Sequence, residues 1–277
     1  MSPAQTIPAA WLGAFPWPAA ETHKHRRGAL VVVSGGVSHT GAARLAARAG
    51  LRIGAGLVTV LCPPDALLVH AVNLEAVMVR CVRNADHLTE RARGARAAVI
   101  GPAAGVGEAT VARVRALRGA GCSLVLDADA LTSFSERVSQ LIGLLQADDV
   151  LTPHDGEFER LWPGLLSQGR EAAAEHAARS TGAVIVLKGP RTLIAGPDGR
   201  MLEARNGSPW LATAGSGDVL AGMIGGLRAQ GMAAFEAAAA AVWLHNEAGA
   251  SFGPGLIAED LPDLLPRRLA ELAAMRP

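Results

Sequence analysis

The run PWLATAGSGDVLAGMIGGL, Pro209 to Leu227, carries a single ionisable side chain, Asp218, directly after Gly215-Ser216-Gly217. A carboxylate in so apolar and glycine-rich a setting is costly unless it is partnered or used. The glycines, followed by the helical pattern VLAGMIGGLRAQ, predict a turn that opens a helix. Bare backbone N–H groups at such a helix start form an anion site suited to phosphate. Asp218 would repel a phosphate held there, so two readings stand side by side. It is a general base beside a reacting phosphoryl group, or a first-turn acid that caps the helix and complements its dipole.

Other residue types able to do chemistry fall at the ends of apolar runs. Lys188 ends GAVIVLKGP and either reaches a nucleotide phosphate or is a solvated strand terminus. Asp127 and Asp129 in LVLDADAL either hold a hydrated Mg²⁺, an ion that takes few carboxylates and keeps its waters, or cap the next helix. His154 in LTPHDGEF either contacts substrate or ties down a turn. The glycine-rich SGGVSHTGAARLAARAG lacks both GK[ST] and GxGxxG, so a nicotinamide nucleotide bound by this chain would not bind in the Rossmann manner.

The elements that must position these residues alternate along the chain. ALVVVSGG (29–36), LVTVLCPP (57–64), AAVIGPAAGVG (97–107), SLVLDADAL (123–131), DVLTPHDGE (149–157) and GAVIVLKGP (182–190) each run from apolar residues into Gly, Asp or Pro. That pattern predicts buried strands. TLIAGPDGRMLEA (192–204) predicts a hairpin turning at Pro-Asp-Gly. Helical spacing covers 41–56, 216–229, 233–249 and 259–274. Strands separated by helices imply one α/β domain, a mainly parallel sheet with helices on both faces. In such sheets ligands bind at the carboxyl ends of strands. Ser34-Gly35-Gly36, Gly101-Pro102, Asp127-Ala128-Asp129, Thr152-Pro153-His154 and Lys188-Gly189-Pro190 should therefore converge on one edge. Residues 1–22 are expected to form an N-terminal arm or irregular lead-in ahead of a domain over 23–277, and THKHRRG (22–28) a solvated surface segment.

Composition narrows the function classes. Half the 277 residues are hydrophobic and 18% are charged, enough for a large enclosed core. With 32 glycines and no tyrosine, that core must rely on close backbone approach rather than large rings. A formal charge of +1 argues against a polyanion-binding surface, so nucleic acid is not an expected partner. The 3 cysteines show no CxxC spacing and read as buried thiols in a reducing compartment. The N-terminus lacks a basic n-region, and the longest apolar run, near 237–244, is too short to span a bilayer. A cytoplasmic protein without membrane association is expected.

Taken together, the segments resemble the NAD(P)H-hydrate dehydratase family, a branch of the ribokinase-like fold, from about His23 to Leu269. The matching blocks run in order: HKHRRGALVVVSGGVSHTGAARLAARAGLRIGAGLVTV, IGPAAGVG, LVLDADAL, LTPHDGEFERL, VIVLKGPRTLIAGPDG and PWLATAGSGDVLAGMIGGLRAQG. LTPHDGEF and LATAGSGDVLAG together are specific to this family, whereas GSGD alone says only ribokinase-like. The resemblance implies a single three-layer α/β/α domain. It further implies repair of damaged cofactor, in which the S-form of hydrated NADH or NADPH is dehydrated at the expense of ADP or ATP. The substrate hydroxyl is phosphorylated and phosphate then leaves.

On that resemblance Asp218 is the base, and the amides of Gly215, Ser216 and Gly217 stabilise the transferring phosphoryl group. Lys188, Gly189, Pro190, Arg191 and Thr192, with Gly217, match the adenine-nucleotide segment. Ala42, Gly105 and His154 match positions that contact the hydrated nicotinamide nucleotide, together with Asp218. Mg²⁺ is expected with the phosphates, without a dedicated protein cage. Homotetramers are common in the family, so a homo-oligomer is expected. No epimerase domain is visible, which implies the dehydratase half of the repair alone.

Departures are local. His39 stands where a tyrosine is usual, GPAAGVG replaces GPGLG, and Leu74-Glu75 replaces Pro-Glu. GSPWLATAGSGD replaces GNPGLATGGSGD, which implies a nucleotide pocket reshaped by Trp210. Two rival readings remain: a small-molecule kinase of the same fold acting on a vitamin-precursor alcohol, which would keep its phosphorylated product, and a nucleotide-sensing protein without catalysis.

Overall fold

Buried strands and flanking helices follow one another along the chain as the apolar runs require. The computed structural model describes residues 3–276, so the first two residues of the expected arm and the last of the expected domain lie outside the described residues. In chain order the elements are β1 (Ala4–Gln5), β2 (Ala29–Val33), α1 (Thr40–Arg52), β3 (Leu57–Cys62), α2 (Leu67–Asn73), β4 (Met78–Cys81), α3 (Ala85–Ala92), β5 (Ala97–Ile100) and α4 (Glu108–Gly119). There follow β6 (Ser123–Leu126), α5 (Ala128–Thr132), α6 (Val138–Ile142), β7 (Val150–Leu151), α7 (Asp155–Leu161), α8 (Arg170–Thr181) and β8 (Val184–Leu187). The chain ends with β9 (Thr192–Ala195), β10 (Met201–Ala204), α9 (Ser216–Ala229), α10 (Ala234–Phe252) and α11 (Leu261–Ala274).

All these strands form one sheet in the order β1-β10-β9-β8-β7-β6-β5-β2-β3-β4. Pairing is parallel except for β8–β9 and the β9–β10 hairpin. The architecture is the expected three-layer α/β/α. Period-2 alternation explains it: along β2, Leu30 and Val32 enter one apolar layer while Val31 and Val33 enter the other. The first layer is closed by α1, α9, α10 and α11, the second by α3, α4, α5, α7 and α8. From β2 the chain first builds outward through β3 and β4, then returns to lay down β5 to β8 on the other side. The strand order therefore reverses at β2 and β5, where a crevice opens at the carboxyl ends. There the loops touch: a Cβ on Gly35 would lie 1.9 Å from the Ala103 carbonyl oxygen.

The described part of the lead-in packs onto the domain. Thr6 N–H donates to the Glu203 carbonyl at 2.8 Å, extending β1 along β10. Trp11 is 2% exposed, with ring centroids 5.7 Å from Trp243 and 6.2 Å from Phe15. Anchoring by an indole escapes a reading that sees only Pro and Ala. Trp11→Ala should cost about 3–5 kcal/mol, checked by urea unfolding; a loss below about 1 kcal/mol would show the segment to be peripheral.

Candidate active site

The turn that opens α9 is built for backbone exposure. Gly215 occupies its N-cap position with φ +88°, and a side chain there would collide with Leu45 Cδ1 at 2.6 Å. The N–H groups of Ser216 and Gly217 begin the helix, and no side chain caps it. Asp218 sits in the first turn, half-buried, without closing a cap. Burial, then repulsion from Asp127, pushes its carboxyl up to about 7, with Lys188 opposing and Asp129 adding to the rise. This is a carboxylate able to exchange a proton near neutrality; it makes no side-chain cap, while its first-turn position also complements the helix dipole.

Lys188 is not a solvated strand end. Its Nζ lies 2.6 Å from Asp127 Oδ1 and 3.8 Å from Glu157 Oε2. A Cβ on Gly217 would sit 3.5 Å from the same ammonium, so Lys188 rests against the glycine turn. Burial works to lower its pKa, but the Asp127, Glu157 and Asp218 carboxylates outweigh it and hold the pKa above the usual lysine value. Asp127 therefore serves Lys188 instead of capping α5, and Asp129 accepts from the Gly105 N–H at 2.9 Å. Among the described residues no group of three or more His, Cys, Asp or Glu is placed to hold a metal ion. These engaged carboxylates do not fit a dedicated Mg²⁺ site.

His154 ties down a turn. Its Nδ1 accepts from the backbone N–H groups of Gly156 (3.0 Å) and Glu157 (3.2 Å), while the His154 backbone N–H donates to Glu157 Oε2 at 2.9 Å. This capping box starts α7 and aims Glu157 at Lys188. The His154 side chain is 54% exposed, and its Nε2 lies 3.3 Å from Glu157 Oε1. Ala42 lies half-buried in the first turn of α1, and Gly105 is exposed with φ +84°.

Beside the α9 turn is a cavity of about 610 Å³, lined by Lys188, Gly189, Pro190, Thr192, Ser216 and Gly217, with apolar walls from Pro209, Leu211, Leu220 and Val242. A slot of this size and lining suits a planar base and its phosphates. Arg191 does not line it: that guanidinium turns to Glu203 and to Glu171, 2.7 Å away. Gly215, Asp218, Ala42, Gly105 and His154 do not line it either. Trp210 is 44% exposed and outside the lining, so the expected reshaping of the pocket is corrected. Within the single 3₁₀ turn Pro209–Leu211, Pro209 and Leu211 line the cavity while Trp210 does not.

Three contributors escape the sequence reading. His245 and Asn246 line the cavity from α10. Burial lowers the His245 pKa to about 4, so the ring is neutral, and its Nε2 lies 3.0 Å from the Ser216 carbonyl and 3.1 Å from Ser216 Oγ. Asn246 donates to Asn206 Oδ1 at 3.1 Å, fixing the loop before Ser208. The available signal was a His-Asn pair inside an alanine-rich buried run. Arg170 is the third: its Nη2 donates to the carbonyls of Leu187 and Lys188, both at 3.1 Å, and braces the KGPRT turn.

A model of the family described as NAD(P)H-hydrate dehydratase matches residues 30–269. The chain is 36% identical over 289 aligned positions to the ADP-dependent (S)-NAD(P)H-hydrate dehydratase of Xanthomonas campestris, covering 97% of both chains. It is 37% identical to the bifunctional NAD(P)H-hydrate repair enzyme of Salinibacter ruber, covering 92% of this chain and 51% of that one. The chain thus spans about half the length of the bifunctional relatives it matches. The Bacillus subtilis ADP/ATP-dependent NAD(P)H-hydrate dehydratase, co-crystallised with ATP/Mg²⁺, superposes with a TM-score of 0.83 at 28% identity, over 98% of this chain and 99% of that one. Matched along nearly its whole length, with the glycine turn, aspartate and lysine assembled at one strand edge, the chain belongs to the NAD(P)H-hydrate dehydratase family.

Proposed function

We propose that the protein dehydrates the S-form of hydrated NADH or NADPH, using ADP or ATP. The observation that carries this reading is Asp218, a carboxylate poised near pH 7 beside bare helix-start amides and an ammonium. Asp218 takes the proton of the ring hydroxyl, whose oxygen attacks the terminal phosphorus of the nucleotide; the phosphoanhydride P–O bond breaks and AMP leaves from ADP, or ADP from ATP. The N–H groups of Gly215 to Gly217, with Lys188, hold the charge that develops on the transferring phosphoryl group. Phosphate then leaves with its C–O electron pair, and loss of a ring proton restores the dihydronicotinamide. The adenine nucleotide lies along Lys188–Thr192 and Gly217, and the hydrated nicotinamide along Ala42, Gly105 and His154. Mg²⁺ enters with the nucleotide's phosphates.

The reading includes a cytoplasmic homotetramer without nucleic-acid or membrane partners. No described helix is long and apolar enough to cross a membrane. Exposed Leu67, Leu68 and Val72 on α2 support self-association. The test is incubation of hydrated NADH with Mg²⁺ and ADP or ATP, following dihydronicotinamide absorbance and phosphate release together. Both should rise in parallel; no recovery with either nucleotide sinks the dehydratase reading. Stable phosphorylation of a small alcohol would favour the kinase.

A further inference from the structure

Asp127 stands at the N-cap position of α5, where an aspartate side chain ordinarily accepts a hydrogen bond from its own helix, yet this side chain accepts none there. The next residue, Ala128, has φ +45°, a left-handed conformation that costs an alanine on the order of 1 kcal/mol. Gly101 must lack a side chain because a Cβ would lie 1.7 Å from the Asp127 carbonyl oxygen. An unmade cap, a strained alanine and an obligatory glycine all accompany one outcome. The Asp127 carboxylate, 1% exposed as a residue, points at Lys188 Nζ at 2.6 Å. On the other side of that ammonium stands Glu157, itself fixed by the His154 capping box.

We infer that Asp127 is a positioning residue: it pins the Lys188 ammonium against the Gly217 turn, and the pinned pair sets the charge carried by Asp218. This rests on the proposed role of Asp218 as base and deepens it. The fold thus holds a cation beside the glycine turn before the nucleotide arrives. The charged and titratable groups acting on Asp218 are Asp127 and Asp129 at the start of α5 and Lys188 after β8; Lys188 is in turn faced by Glu157, held by His154 at the start of α7, and by neutral His245 on α10. Removing the Asp127 charge favours ionised Asp218 in two ways. It deletes a repelling carboxylate and leaves the lysine less neutralised. Removing the Lys188 charge does the reverse.

The experiment titrates Asp218 directly by ¹³C-carboxylate NMR of the full chain, its resonance identified by its disappearance in Asp218→Asn. Asp127→Asn should lower the midpoint by about half a pH unit or more, and Lys188→Met should raise it by a similar amount. Lys188→Arg, which keeps the charge, should stay close to wild type. In the dehydration assay Asp127→Asn should lose about tenfold or more in kcat with little change in nucleotide affinity, its acid limb following the NMR midpoint. Midpoints unmoved in folded Asp127→Asn and Lys188→Met overturn the proposal. So does full rescue of Asp127→Asn by excess Mg²⁺, which would make Asp127 a metal ligand. If Asp127→Asn does not fold, Lys188→Met against Lys188→Arg decides it. If wild type fails to dehydrate the substrate, the activity reading falls while the NMR shifts still judge the inference.

Discussion

Asp218→Asn should abolish turnover by about 10³-fold or more, retain nucleotide affinity within a few-fold, and yield a protein more stable than wild type above pH 7. Loss of turnover follows because asparagine cannot accept the proton, while the glycine-turn amides and Lys188 are untouched. The stability gain follows from the direction of the pKa shift. The Asp218 carboxyl is raised from 3.8 to about 7, so between these values the folded chain holds a proton that the unfolded chain has released. Stability contributed by this group therefore falls as pH rises through that window, and the cost is complete above about 7. The ceiling is ~4 kcal/mol. Half-burial and water screening reduce it to about 1–2 kcal/mol. Urea unfolding of both proteins at pH 5 and pH 8 checks this: the gap should widen at the higher pH. A gap independent of pH, or full activity in the variant, refutes the role. Wild-type turnover should itself rise with pH through about 7.

The second large effect lies under the site. Gly222→Ala should cost about 3 kcal/mol or more, a large share of the roughly 5–15 kcal/mol that holds a domain folded. A Cβ on Gly222 would lie 2.1 Å from the Ala46 carbonyl oxygen and 2.6 Å from Ala46 Cα, backbone atoms that no rotamer change can move. Gly50 and Gly226 continue the same seam: a Cβ on Gly226 would stand 2.6 Å from the Gly50 carbonyl. Helices α1 and α9 thus meet backbone to backbone, and this fixes the height at which the α9 turn enters the site. Thermal and urea unfolding should show the loss, accompanied by reduced turnover in the folded fraction. Gly119→Ala, on an exposed stretch of α4 with nothing within 4 Å, is the control and should be neutral or slightly stabilising. Equal behaviour of the two variants would show that close approach is not what Gly222 provides.

Much of the frame is legible in local pattern. The β2, β3, β5, β6 and β8 strands are short apolar runs ended by Gly, Asp or Pro, and the Pro197-Asp198-Gly199 turn joins β9 to β10 as a hairpin. α9 begins and ends where its glycine turn and helical spacing indicate. The edge strand β4 was missed because it is exposed at alternate positions and has no apolar run to betray it. The docking of the lead-in was not legible because its anchor, Trp11, reveals itself only in the space beside Trp243.

The sequence by itself determined the α/β layering, the glycine turn and the placing of Asp218 one residue beyond it, because these depend on neighbours a few positions apart. Its composition already required close backbone approach, though not which glycines would meet. The chemistry of the site, by contrast, comes from contacts between distant parts of the chain. Asp127 and Lys188 are 61 positions apart, and Ser216 and His245 are 29. Sheet order brings the first pair together and the packing of α10 on α9 the second. The carboxylate's charge state follows from that company, since burial and neighbouring charges are properties of a place, and a place exists only once the chain has folded.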